Sequence, residues 1–386
     1  MQVPSNNPFL PSFRAWQLPQ APEPPRLLAD LAAKHRASSS PGPQDGPAKP
    51  STGSPSRSTG VQAYLLRVQE FGALYLLGSD GNDRLSGPSN SLIDGGDGND
   101  RIRVGSNSVA SGGDGDDVIR ARSGSIAIGG SGDDRIKVGS GSIVDAGDGD
   151  DVVRAGSNTV TLGGAGNDTI RAWSNSVVDG GDGDDVVRAW SNTVTRGGAG
   201  NDTISAWSNS VVDGGDGNDT IAVWRGSRAY GGDGDDLISA RAGGYVEGGA
   251  GNDVIDAANG ATVSGGSGDD VIRADTGSTV LFNAGDGKDT VFVNRDVAIK
   301  LGEGLSAKDM NVTISGNVAT ISFGDGKDQL TLNLGSDAVN LSFADGSSAE
   351  IKVDMFSAMR ARPGQIEMIS AYTSTLSLQL ASSTSA

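Results

Sequence analysis

The chain has 386 residues, 60 of them glycine, a net charge of −18, no cysteine and one histidine, His35. That balance excludes disulfides, thiolate metal sites, His-ligated zinc and His-based catalytic triads, and it argues against nucleic acid as a partner. No apolar run approaches the roughly eighteen residues of a membrane-spanning helix, so no transmembrane segment is expected.

Residues 1–60 are rich in Pro and Ser and predict a disordered tail. Its start, Met1-Gln2-Val3-Pro4, lacks the charged and apolar regions of a cleaved secretory signal. Within the tail, Arg26 to Arg36 places Leu27, Leu28, Leu31 and Ala32 at helical spacing, a short nascent helix or a docking element. Residues 61–77 turn apolar (Tyr64, Leu65, Leu66, then Phe71 and Leu74 to Leu77) and read as an N-terminal cap covering the open end of a repeat array.

Residues 78–293 repeat one seventeen-residue unit about a dozen times. A single copy runs from Gly95 to Ser111, and later copies begin at Gly112, Gly129, Ala146, Gly163 and Gly180. A fixed period of this length marks a solenoid. Position 8 of the unit is Leu85, Ile102, Ile119, Ile136, Val153 and so on; position 10 is Val104, Ala121, Val138, Ala155. Their alternation with polar neighbours predicts a strand with one face inward. Position 15 (Val109, Ile126, Ile143, Val160, Val177, Val194, Val211) predicts a second inward row. Two short strands per coil give an all-β parallel roll; twelve coils at about 4.8 Å make a rod of roughly 55–60 Å. Position 13 holds only Asn or Gly, from Asn107 and Gly124 to Gly277, which predicts positive φ at every second turn. Residues 294–354 read as a C-terminal β cap and 355–386 as a C-terminal tail.

The first turn of each coil reads Gly-Gly-x-Gly-x-Asp. Glycines there let carbonyl oxygens converge, and the Asp adds a carboxylate at each coil. The candidate metal ligands are Asp83, Asp97, Asp100, Asp114, Asp117, Asp134, Asp151, Asp168, Asp185, Asp202, Asp219, Asp236, Asp253, Asp270 and Asp289. Stacked carboxylates repel without a cation between them. Hard oxygen donors in flexible geometry suit Ca²⁺ better than Mg²⁺, so several calcium ions along one edge are expected.

These residues resemble the RTX (repeats-in-toxin) calcium-binding proteins of Gram-negative bacteria, whose nonapeptide is plain in 180–188 (GGDGDDVVR) and 214–222 (GGDGNDTIA). The resemblance implies a secreted, extracellular protein, exported unfolded by a type I apparatus through an uncleaved C-terminal signal, and folding on external calcium. It also implies a β region after the repeats, where GDGKD occurs twice. The chain departs from the family's tandem nonapeptides in that only alternate turns carry the motif.

No nucleophile elbow, HExxH or paired carboxylates precede the repeats, so no enzyme activity is expected. A second surface competes for function. Outward positions carry Arg103, Arg120, Lys137, Arg154, Arg171 and Arg188, and two residues further on Trp173, Trp190, Trp207 and Trp224. Stacking alone accounts for the Trp row; with Arg154, Arg171 and Arg188 it also forms a possible ligand face for an acidic glycan or cell-surface partner. Ice binding would need a regular Thr row, and Thr159, Thr161, Thr193 and Thr195 are scattered. A type III effector is the remaining alternative. The expected role is interaction of a bacterium with a host, surface or matrix.

Overall fold

The structure, a computed structural model, describes residues 64–67, 74–334, 338–354 and 375–381. The expected tail at 1–60, the Arg26–Arg36 helix and most of 355–386 lie outside them. Within them the chain is a parallel β-roll in which each coil supplies one strand to each of two sheets. Four-residue strands such as Arg101–Val104 form the first sheet, and six- or seven-residue strands such as Val109–Asp114 form the second. Register between coils is seventeen residues as far as Val271–Ala274 and Thr279–Phe282, with Ile102 on Ile119 and Ala110 on Ala127, and it widens to nineteen in the last coil, where Ile272 pairs with Val291.

Positions 8 and 10 point inward as expected. Ile102, Ile119, Ile170 and Ile204 are fully buried, and small residues such as Ala155 and Ala172 beside them let the two sheets approach closely.

The second inward row is corrected by one residue. Position 16 is buried (Ala110, Ala127, Val144, Val178, Val212), whereas position 15 is half-buried or exposed, with Val194 at 40%. The pleat explains the shift, because a one-residue slip exchanges the faces of a strand. Position 14 is inward too, and it is a hydroxyl: Ser108, Ser125, Ser142, Thr159, Ser176, Thr193 and Ser210 are all buried. The Ser108, Ser125, Ser142, Ser176 and Ser210 hydroxyl oxygens accept the backbone N–H of the counterpart one coil earlier, as in Ser108 N–H to Ser125 Oγ at 3.3 Å and Thr193 N–H to Ser210 Oγ at 3.2 Å, while the Thr159 and Thr193 hydroxyls donate to the Gly156 and Trp190 carbonyls. Burial costs these polar groups little because their hydrogen bonds are made.

The turn between the sheets adopts the expected left-handed conformation at position 13, from Asn107 (φ 55°) through Asn192 (φ 58°) to Gly277 (φ 73°). Thr159, Thr161, Thr193 and Thr195 are all buried, which removes them from any ice-binding surface.

At the N-terminal end Tyr64–Arg67 pairs antiparallel with Leu74–Leu77, which in turn pairs parallel with Ser91–Asp97. At the other end parallel stacking crosses residue 293. Lys288–Val293 pairs with Gln329–Leu334, and Ala298–Leu301 with Val339–Phe343, around an inserted antiparallel hairpin of Met310–Ser315 and Val318–Phe323. Thr375–Ala381 adds an antiparallel strand on Ser348–Asp354.

Candidate metal centre

The Gly-Gly-x-Gly-x-Asp turns stack into one continuous edge of the roll. Their second and third glycines, at positions 2 and 4, take positive φ, 119° and 125° at Gly181 and Gly183, where a side chain would be strained. The first glycine is required by space. A Cβ on Gly180 would meet Asp185 Oδ2 at 2.1 Å and the Gly197 carbonyl oxygen of the next coil at 2.4 Å. That glycine therefore leaves a cradle in which a carboxylate oxygen and a backbone carbonyl face the same small volume.

The thirteen aspartates at position 6, from Asp83 to Asp289, are all at most 4% exposed. Their two carboxylate oxygens have different fates. Oδ1 accepts the backbone N–H of the preceding coil's aspartate, at 2.7 Å for Asp168 N–H to Asp185 Oδ1 and 2.8 Å for Asp185 N–H to Asp202 Oδ1. Oδ2 has no partner in Asp100, Asp117, Asp134, Asp151, Asp168, Asp185, Asp202, Asp219, Asp236, Asp253, Asp270 or Asp289, although it is buried in every one. Native interiors leave only a few buried polar atoms unsatisfied, scattered through the fold, whereas here twelve lie in one column. Asp83, in the first coil, is the exception: its Oδ2 accepts Ser79 N–H at 2.6 Å and Ser79 Oγ–H at 3.0 Å. Asp97 and Asp114, also expected as ligands, are exposed residues at position 3 and stand outside the buried row.

Electrostatics follow from this geometry. Burial pushes the carboxyls of Asp117, Asp168, Asp185, Asp219 and Asp253 up to about 7, and those of Asp151, Asp202, Asp236 and Asp270 up to about 6. Asp134 and Asp289 rise to about 8. The backbone hydrogen bond at Oδ1 opposes the rise, and neighbouring carboxylates add to it. A row of half-satisfied carboxylates with elevated affinity for protons is a row poised for a counter-charge.

The donor set fits a hard divalent cation. Among the described residues no three His, Cys, Asp or Glu side chains converge on one point. The available ligands are thus one carboxylate oxygen per coil and the carbonyls around it, the all-oxygen chemistry that Ca²⁺ accepts.

Sequence reasoning missed a second ladder on the same edge. At position 5, Asn99, Asp116, Asp133, Asp150 and Asn167 are exposed, and each side-chain oxygen accepts the backbone N–H of position 5 in the following coil, as in Asp133 N–H to Asp116 Oδ1 at 3.0 Å and Asn167 N–H to Asp150 Oδ1 at 2.8 Å. It runs opposite to the buried Asp ladder, so every pair of turns is clamped in both directions. The signal was present: that column contains only Asn or Asp from Asn82 to Asp269.

The RTX calcium-binding nonapeptide repeat matches residues 77–108, 128–162, 174–193, 196–221, 208–227, 228–244 and 245–261. The chain carries RTX calcium-binding repeats. Their presence and the roll agree, and calcium binding is the property the repeats bring. No protein of curated function matches the chain. Among solved structures, the extracellular lipase LipA from Serratia marcescens is similar at 20% identity over 61% of this chain, with a TM-score of 0.24; the chain spans 38% of that enzyme.

The Arg and Trp rows expected on the outer face fall in register. Arg154, Arg171 and Arg188 are register neighbours on adjacent strands of the first sheet. The Trp rings stack in order, with centroids 4.6 Å apart for Trp173 and Trp190, 5.0 Å for Trp190 and Trp207, and 5.1 Å for Trp207 and Trp224. Among the described residues only Arg241 lies over one of these rings, 5.7 Å from Trp224. The arginines of the ladder do not cover them.

Proposed function

We propose that this chain is a secreted, non-catalytic RTX protein whose roll folds on meeting extracellular calcium, with the ions in single file along the Gly-Gly-x-Gly-x-Asp edge. The observation that carries the reading is the set of buried Oδ2 atoms without a partner, at Asp100 and in every later coil to Asp289. Each is held in place by the hydrogen bond at Oδ1, and in most coils, as at Asp185 beside the Gly197 carbonyl, it shares its space with a backbone carbonyl of the next turn. Calcium between successive turns would supply the missing partner and neutralise the row. Where calcium is scarce, repulsion between these carboxylates and the entropy of ordering so many glycines oppose folding; millimolar calcium outside the cell reverses the balance by mass action.

Export by a type I apparatus, with the C-terminal segment as its signal, belongs to the same reading, because a chain that folds only outside passes through a channel unfolded. The folded roll then acts in contact between a bacterium and a host, a surface or a matrix, and the Arg and Trp rows are the surface offered.

The test is far-UV circular dichroism of the chelator-stripped chain, titrated with calcium and separately with magnesium. The reading predicts a cooperative gain of β structure with calcium and little with magnesium. Full β content in excess chelator at neutral pH would overturn it.

A further inference from the structure

The first sheet is asymmetric along the roll. Its first seven strands, from Arg84–Gly87 to Val186–Ala189, contain nine cations and no acidic residue. Six of them form an unbroken ladder at position 9: Arg103, Arg120, Lys137, Arg154, Arg171 and Arg188 pair in direct register from one coil to the next. Arg84, Arg101 and Arg135 flank this ladder at position 7 on the same outward face. Of the six, five are exposed and Arg171 is half-buried. Like charges directly opposite on neighbouring strands destabilise a sheet, and among the described residues no carboxylate forms an ion pair with any of the nine. A protein of net charge −18 thus concentrates unpaired positive charge on one strip, five strand spacings or about 24 Å long in its unbroken part. Stability does not explain that strip; an external anion does.

We propose that this strip binds a single-chain acidic polysaccharide, with its carboxylates on the Arg ladder and a sugar ring on the open face of Trp173. Eight of the nine cations are arginine, whose planar fork matches carboxylate and sulfate oxygens bidentately. A ladder repeating at about 4.8 Å along a straight rod suits a linear polymer with regularly spaced charges better than a compact ligand.

The aromatic row selects between polyanions. Inside the stack both faces of Trp190 and Trp207 are taken by neighbouring rings, and Arg241 covers the far end at Trp224. Bases of a single-stranded nucleic acid, which need a succession of free aromatic faces, find none there. Trp173 is the one open end. It is 54% exposed, and its counterpart in the preceding coil is Gly156, which offers no side chain to cover it. One free ring beside Arg154 and Arg171 serves one sugar whose apolar face packs on it.

This deepens the proposed surface interaction and rests on the roll being folded, so folding and binding are read separately. The full chain, its β structure verified by circular dichroism, is titrated with hyaluronan in low salt, with neutral dextran and an oligothymidylate of equal charge as comparisons. The variant is Arg120→Ser, Arg154→Ser and Arg171→Ser together, because Ser already occupies this row at Ser86, Ser205 and Ser239. The proposal expects hyaluronan binding that weakens with salt, no dextran binding, a change in Trp emission, and about a tenfold loss of affinity in the variant with its calcium-induced β signal unchanged. Equal hyaluronan affinity in the variant, absence of binding by the folded protein in low salt, or tighter binding of the oligothymidylate would each overturn it. A chain that folds without calcium is titrated without it, and the same outcomes apply.

Discussion

Asp185 separates the two jobs of the buried carboxylate row. Its Oδ1 accepts Asp168 N–H at 2.7 Å, and its Oδ2 has no partner. Asp185→Asn keeps an oxygen for the backbone and removes the charge; Asp185→Ala removes both. With a dissociation constant of about 10⁻⁴–10⁻³ M, usual for extracellular calcium modules, one occupied site in 10 mM calcium contributes about 1.4–2.7 kcal/mol. Losing it moves a urea midpoint down by roughly 0.5–1 M if the slope is about 3 kcal/mol per molar. Ala also strands a buried N–H, which costs about 1–3 kcal/mol more, for a total shift of roughly 1–2 M. In excess chelator at pH 8 the order changes. There the charged Asp185, with its carboxyl pushed up to about 7 by burial, opposes folding. At about 1.4 kcal/mol per unit, halved because water reaches the edge of the roll, Asn should then exceed wild type by about 2 kcal/mol. The assay is urea unfolding followed by far-UV circular dichroism, with sucrose added in the chelator series to populate the wild-type roll. An Asn variant as stable as wild type in calcium, or less stable than wild type in chelator, would refute the reasoning.

Acid should substitute in part for calcium. Native carboxyls of the row bind protons up to pH 6–8, whereas unfolded Asp does so only below about 4. Between those limits the native state holds more protons, so its stability rises as pH falls. Calcium-free chain is therefore expected to show β structure near pH 5 and to lose it as pH rises through 6–8; circular dichroism against pH checks this, and a signal independent of pH contradicts it. Thr161 and Thr195 sit in the inward row with Oγ1 buried and unpartnered. Replacing either with Val, the residue found in that row at Val144, Val178 and Val212, should raise stability by about 1–2 kcal/mol, measured as a higher thermal midpoint in calcium. Asn192→Ala, at φ 58°, should lose roughly 1–2 kcal/mol while Asn192→Gly stays near wild type, again by thermal unfolding.

Much of this architecture was legible in the sequence because each requirement is repeated in every coil. Coil length, the core rows at positions 8 and 10, and the left-handed row from Asn107 to Gly277 all emerged from column-by-column residue choice. The inward face of the second sheet did not. Position 15 is a run of Val and Ile that looks like core, while the true inward positions include Ser108 and Ser125, whose polarity is masked by backbone hydrogen bonds from the neighbouring coil. Pairing across coils is invisible to a pattern based on polarity alone. For the same reason the metal row could be named but not its division into a bonded Oδ1 and an orphaned Oδ2, nor the exemption of Asp83 through Ser79. The basic strip was half seen. Its ladder was recognised, while Arg84, Arg101 and Arg135 joined it only once the register placed them on the same face.

The central claim is that calcium occupies the space before each orphaned Oδ2. The most direct measurement is a crystal structure grown in calcium, with anomalous differences collected at long wavelength. The account predicts calcium peaks in single file along the Gly-Gly-x-Gly-x-Asp edge, beside the Oδ2 atoms from Asp100 to Asp289, and none along the Asn/Gly turns. An ordered roll with no anomalous density at those oxygens, or with ions gathered at the opposite edge, would contradict it.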